Sequence, residues 1–271
     1  MQGRVLIIAG SDSGGGAGIQ ADIKTVTALG GFAMTAITAL TAQNTLGVDG
    51  IAEVAPEFIV KQIDMVLTDI GADAIKIGML HRREVVDAVA GYFDAIEDLP
   101  PVVLDPVMIA KGGTSLIAND ASEAIKNRLI GPHTHLLTPN IPEAEQLTGL
   151  TIATRQDMEK AGRRLLDYGP VAVLMKGGHA EGEEVTDLLI SPQGVEVFTH
   201  PRIHSRHTHG TGCTLSSAIA TGLAQGLSAS DAVGRAIRYV EIAIREAPGF
   251  GAGHGPLDHA HTVAPFNPRA S

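Results

Sequence analysis

Short aliphatic runs alternate with segments of helical period along nearly the whole chain, and each run stops at glycine, proline or a polar residue. This constrains the fold more than any other feature. Continuous apolar runs of four to eight residues read as strands buried on both faces, and the intervening segments read as the helices that cover them. The pattern predicts strands at 5–9, 32–40, 74–77, 102–104, 136–138 and 171–175. It predicts helices at 17–29, 56–67, 84–93, 120–129, 157–167, 211–224 and 229–246. Two further runs, 187–190 and 195–200, flank Pro192-Gln193-Gly194 and read as a hairpin. Residues 11–16 read as a glycine-rich loop, and the tail from Pro248 as irregular. Strands alternating with helices imply an α/β fold with a mainly parallel sheet between two helical layers. Nothing marks a second domain, so residues 1–271 are expected to form one.

Composition narrows the function classes. Hydrophobic residues make up 44% and charged residues 18%, which excludes a disordered chain. A net charge of −10 with 3% aromatics leaves neither the cationic surface nor the stacking platforms that nucleic acids need. Cys213 is the only cysteine, so there is no intramolecular disulfide and no CxxC site. No apolar stretch is long enough for a membrane span, and the first run is too short for a secretory signal. These features point to a cytoplasmic protein.

The residues able to do chemistry cluster just after the strands, on the rim where open α/β sheets bind ligands. Thr208-His209-Gly210-Thr211-Gly212-Cys213 opens the helix at 211–224. Gly210 and Gly212 would let main-chain N–H groups approach an anion, and the helix terminus adds its dipole. That suits a transferring phosphoryl group. Cys213 would have a lowered thiol pKa there and serve as proton acceptor for a hydroxyl; the same pattern also fits a turn beside an inert buried cysteine. Gly16-Ala17-Gly18-Ile19-Gln20-Ala21 matches GxGxxA, but it starts too far after the strand and lacks the acidic residue a dinucleotide ribose requires. Asn140 and Glu143, with Asp105, are oxygen donors suited to hydrated Mg²⁺; equally, Asn140 and Glu143 could cap a helix. Lys176 could neutralise phosphate charge or be an exposed loop lysine. Gln43 offers a paired donor and acceptor for a heteroaromatic edge, or a turn contact. Histidine pairs at 133/135, 207/209 and 259/261 supply two ligands each, too few for a transition-metal site.

Taken in order, several motifs carry a resemblance. They are Gly10-Ser11-Asp12-Ser13-Gly14-Gly15-Gly16-Ala17-Gly18-Ile19-Gln20-Ala21-Asp22, Thr41-Ala42-Gln43-Asn44-Thr45, Lys76-Ile77-Gly78-Met79-Leu80, Leu104-Asp105-Pro106-Val107-Met108, Thr138-Pro139-Asn140-Ile141-Pro142-Glu143-Ala144-Glu145, Lys176-Gly177-Gly178-His179 and the 207–214 segment. Together the chain resembles the hydroxymethylpyrimidine/phosphomethylpyrimidine kinases of thiamine biosynthesis. The resemblance implies a ribokinase-like three-layer sandwich and a homodimer. It implies ATP and Mg²⁺ as co-substrate and cofactor, with two successive phosphorylations of 4-amino-5-hydroxymethyl-2-methylpyrimidine. It assigns Gln43 to the aminopyrimidine, with Asp22, Met79 and Val107 lining the same pocket. Gly210, Thr211 and Gly212 become the anion hole, and Cys213 and Lys176 the catalytic pair. Asn140 and Glu143 hold Mg²⁺ through water, with Asp105 nearby. Cys213 stands where sugar kinases of that fold carry aspartate. Lys111-Gly112-Gly113 and the extra glycine in Ser13-Gly14-Gly15 depart from the common family form and bear on loop and flap mobility. A pyridoxal kinase, or a binding module without catalysis, is the rival reading; the flap has no cysteine with which to trap an aldehyde.

Overall fold

The computed structural model describes residues 2–108, 119–179 and 182–264. In chain order its elements are β1 (Arg4–Asp12), α1 (Gly18–Ala28), β2 (Phe32–Gln43), β3 (Val48–Glu53), α2 (Pro56–Asp69), β4 (Ala74–Ile77), α3 (Arg83–Phe93) and β5 (Val102–Leu104). Next come α4 (Asn119–Ile125), a π-helical turn (Lys126–Ile130), the single turn α5 (Gly131–His133), β6 (Leu136–Leu137), α6 (Ile141–Thr148) and α7 (Arg155–Leu166). The chain continues with β7 (Ala172–Met175), β8 (Glu184–Ser191), β9 (Gly194–Pro201), α8 (Thr211–Ala224) and α9 (Ala229–Arg245). The strands form one sheet in the order β3-β2-β1-β4-β5-β6-β7-β8-β9. Neighbours from β2 to β7 are parallel; β3, β8 and β9 join antiparallel at the two edges.

The period-2 geometry of buried strands divides the core into two layers. Leu6 and Ile8 of β1, with Ile75 and Ile77 of β4, pack against Ile59 and Ile63 of α2 and Val86 and Val89 of α3. Val5, Ile7 and Ala9 point the other way, into Ile19 and Val26 of α1 and Leu215 and Ile219 of α8. Each such fully buried aliphatic side chain contributes roughly 1.5–3 kcal/mol. On β4 the face towards the α1–α8 layer carries Ala74 and, in place of a second aliphatic residue, the fully buried Lys76.

The structure extends the expected pattern at several places, including β2 to Gln43, β8 back to Glu184 and the added helix α6. β3 was not anticipated, because Val48-Asp49-Gly50-Ile51-Ala52-Glu53 has neither alternation nor a continuous apolar run; pairing with β2 forms it. β1 runs past its apolar stretch through Ser11 and Asp12, which pair with Leu40 and Thr41 after a bulge at Gly10. The 11–16 segment is therefore strand at its start, and the strand carries Asp12 to the rim. α7 begins two residues early because Thr154 and Asp157 form a reciprocal capping box. The flap residues Lys111, Gly112 and Gly113 lie outside the described residues. Among the described residues no helix is long and apolar enough to cross a membrane.

Candidate active site

β1 lies between β2 and β4, so the chain reverses its direction of progress across the sheet at this strand. A crevice opens beyond the strand tips at such a point. Here it is a cavity of about 570 Å³ that reaches across the sheet from Gln43, at the end of β2, to Val185 on β8. That volume suits one small ring and a nucleotide-sized partner.

Gly210 precedes α8 at φ +82°, and a Cβ there would collide with the carbonyl oxygen of Gly16. Only glycine fits this turn. Thr211 N donates back to Thr208 O at 3.4 Å, and Thr211, Gly212 and Cys213 all line the cavity, so the start of the helix faces it. A Cβ on Gly212 would lie 3.4 Å from both Asp105 Oδ2 and Lys176 Nζ, so the helix terminus faces that ion pair directly. Lys176 Nζ donates to Asp105 Oδ1 at 2.9 Å, and the lysine side chain is largely buried rather than an exposed loop residue. Burial works against its charge, but Asp105 and Glu143 outweigh burial and hold the ammonium above its usual range.

Asn140 and Glu143 make both halves of a capping box at α6: Glu143 N donates to Asn140 Oδ1 at 2.9 Å, and Asn140 N donates to Glu143 Oε2 at 2.8 Å. Both also line the cavity, so capping does not remove them from the site. Burial, with Asp105 adding to it against Lys176, pushes the Glu143 carboxyl up to about 7. A carboxylate held at that cost, with Oε1 outside the capping box and Asp105 beside it, fits a hydrated divalent cation. Among the described residues no three His, Cys, Asp or Glu side chains converge as a direct metal site.

Cys213 lines the cavity and is half-buried. Its thiol is not lowered as a helix terminus alone would make it. Burial pushes it up to about 11, with Asp22 and Asp105 adding to burial while Lys76 and the Gly18 N–H pull the other way. The correction is physical: loss of solvation, reinforced by Asp22 and Asp105, exceeds the pull of Lys76 and the Gly18 N–H.

Asp22 also departs from expectation. It is fully buried and is not part of the cavity wall. It accepts from Lys76 Nζ at 2.8 Å and from Ser217 Oγ at 2.7 Å. Lys76, not Asp22, reaches the wall. Burial alone would lower the Lys76 pKa; Asp22, then Cys213 and Asp105, more than offset burial and keep it charged. Met79, Val107 and Gln43 do line the cavity, as do Gly210, Thr211 and Gly212.

Three features escaped the sequence reading. Asp12 accepts from the N–H groups of Gly14 (2.7 Å), Gly16 (3.1 Å) and Ala17 (2.9 Å), so an internal carboxylate occupies the donors that a dinucleotide loop would offer to phosphate. His209 Nε2 lies 2.9 Å from Asp12 Oδ2 and 3.2 Å from Gln43 Nε2. At the other end of the cavity, Leu215, Ile237, Val240 and Ile244 form an apolar wall able to take an aromatic base. The signal for Lys76 and Asp12 was a charged residue inside or at the end of an otherwise apolar strand.

Comparison with known proteins agrees with this geometry. A family model described as phosphomethylpyrimidine kinase matches residues 12–258. The hydroxymethylpyrimidine/phosphomethylpyrimidine kinase of Bacillus subtilis is 47% identical over 257 residues, covering 94% of each chain. The thiamine biosynthesis bifunctional protein ThiED of Geobacter sulfurreducens is 51% identical over 95% of this chain; here the chain spans about half of the relative, 52% of its length. The pyridoxal kinase of Staphylococcus aureus in complex with AMP-PCP and pyridoxal superposes with a TM-score of 0.86 at 33% identity, covering 96% of this chain and 94% of that one. The fold is ribokinase-like, and with a family model matching residues 12–258 and a relative matched over 94% of each chain, the chain belongs to the phosphomethylpyrimidine kinase family.

Proposed function

We propose that the protein transfers the γ-phosphoryl group of ATP to the hydroxyl of 4-amino-5-hydroxymethyl-2-methylpyrimidine, and then phosphorylates the monophosphate to the diphosphate, in thiamine biosynthesis. The observation that carries this reading is the placement of the α8 terminus. Its donors and the Asp105–Lys176 pair share one cavity with Gln43, Met79 and Val107 towards β2 and with the apolar wall of α8 and α9. In this reading the ring sits against Met79 and Val107 and pairs with Gln43. The adenine takes the apolar wall. The migrating group sits before Gly210, Thr211 and Gly212, and Lys176 offsets its charge.

Asn140, Glu143 and Asp105 would hold Mg²⁺ through water, and the ion would supply charge neutralisation for the phosphates. Cys213 places its sulfur beside the acceptor hydroxyl. A thiol at about 11 is neutral at pH 7.5, so it orients the hydroxyl by hydrogen bonding and does not strip its proton beforehand. A loose transition state requires no more, since the acceptor oxygen keeps its proton until the new P–O bond has largely formed. A reducing, ATP-containing cytoplasm suits a site with an unpaired thiol. The single sheet that the described strands form supports a single domain, and a homodimer follows from the family reading.

Purified protein incubated with the hydroxymethylpyrimidine and MgATP should give the monophosphate, then the diphosphate, by ³¹P NMR. Absence of both from folded protein overturns the proposal. The close shape match to a pyridoxal kinase favours a second reading, pyridoxal as substrate. The ratio of kcat/KM for the two ring substrates decides between them.

A further inference from the structure

Gln43 can pair with a ring edge in two ways, because its amide can turn over about its last bond and exchange donor for acceptor. Its surroundings remove that freedom. Asp12 is buried and accepts three main-chain N–H groups, an arrangement that holds it ionised and hence acceptor-only. His209 Nε2, 2.9 Å from Asp12 Oδ2, must therefore carry a hydrogen. Gln43 Nε2 lies 3.2 Å from the same nitrogen, and Gln43 Oε1 lies 3.0 Å from Thr41 Oγ1. Thr41 Oγ1 is also 3.0 Å from the Ser11 carbonyl oxygen, which can only accept. Two N–H donors facing each other repel. Turning the amide over removes the conflict: its oxygen shares the His209 Nε2–H with Asp12 Oδ2, its NH₂ donates to Thr41 Oγ1, and the single Thr41 hydroxyl hydrogen goes to the Ser11 carbonyl oxygen.

We infer that His209, anchored by Asp12, is a positioning residue that fixes the polarity of the Gln43 amide and thereby selects a ring whose edge carries an amino donor beside a ring-nitrogen acceptor. In the fixed state Gln43 offers an acceptor on the His209 side and a donor on the Thr41 side. A 4-aminopyrimidine presents the complementary pair. The 4-oxo ring of the same shape presents the reverse pair, a carbonyl acceptor beside a ring N–H donor. Pairing with that ring would set the amide nitrogen against the His209 N–H. The inference rests on the reading that Gln43 meets the ring edge, and deepens it from contact to discrimination.

The test compares kcat/KM for 4-amino-5-hydroxymethyl-2-methylpyrimidine with that for its 4-oxo analogue. Wild-type enzyme should favour the amino ring by about a hundredfold or more. His209→Phe keeps the ring volume and removes the N–H. The preference should then fall below about tenfold, through KM rather than kcat. His209→Gln, which returns an N–H to Asp12 and Gln43, should restore it. Should His209→Phe not fold, Thr41→Val removes the other anchor of the amide and should give the same collapse. An unchanged ratio in these variants, or an equal fall for both rings, overturns the inference and leaves the kinase reading standing. A wild-type enzyme that phosphorylates neither ring overturns that reading, and the inference with it.

Discussion

The single thiol makes Cys213 directly measurable, and burial of that thiol predicts sluggish chemistry. Its pKa is raised from the ordinary 9.0 to about 11. At pH 8 a thiol at 9.0 is about 9% ionised and one at about 11 about 0.1% ionised, a difference of about ninetyfold. The more basic thiolate is the stronger nucleophile, by about eightfold for a Brønsted slope near 0.45. Iodoacetamide should therefore alkylate the unliganded protein about tenfold more slowly than free cysteine at pH 8, before any steric hindrance. The rate should climb with pH without levelling below 10. The rates can be read by intact mass, with Cys213→Ala as the blank. Alkylation as fast as free cysteine, with an inflection below pH 9, would refute the argument: the helix terminus and Lys76 would then outweigh lost solvation, and Cys213 would be a preformed base.

The same thiol sets a pH dependence of stability. A folded-state pKa raised above 9.0 gives stability that is complete below pH 9 and is lost between 9 and about 11; in urea denaturation this decline should be smaller in Cys213→Ala. Lys76→Met strands Asp22 in the core with Ser217 as its remaining donor and should cost about 3–5 kcal/mol at pH 8. That loss should shrink towards pH 5, as Asp22 takes a proton, and in the Lys76→Met/Asp22→Leu double variant; a loss below about 1 kcal/mol counts against a stable buried ion pair. Gly210→Ala meets both the positive φ and the Gly16 carbonyl, so kcat/KM should fall by about a hundredfold or more while the far-UV circular dichroism holds.

Much of the scaffold was legible because buried parallel strands write themselves as apolar runs. Ala74–Ile77, Val102–Leu104 and Thr211–Ala224 occupy the residues their patterns indicate. β3 was not legible, since its residues prefer strand only when β2 is beside them. In the site, residues at strand tips could be read from position: Gln43, Asp105, Asn140 and Lys176 all reach the cavity. What position could not give was direction. Asp22 sits one helical face away from the cavity and answers to Lys76, a partner 54 residues distant in sequence. The Cys213 thiol was misjudged because a helix terminus is visible in sequence whereas the desolvation around it is a tertiary property.

The charges around Cys213 explain why a neutral group suits that position. Lys76 is matched by Asp22 and Lys176 by Asp105, two cations against two anions, and Glu143, its carboxyl pushed up to about 7, adds a partial negative charge. A carboxylate at 213 would add a third full negative charge beside Asp22 and Asp105, the two residues that already disfavour a thiolate there. Its cost would rise further as a polyanionic phosphate arrived in front of the α8 terminus. A thiol adds no further negative charge before the phosphates enter, so the N–H groups of Gly212 and Cys213 and the ammonium of Lys176 keep their attraction for the incoming charge. The exchange of a stronger base for a neutral hydrogen-bonding group is then favourable wherever phosphoryl transfer is limited by charge neutralisation rather than by removal of the acceptor's proton.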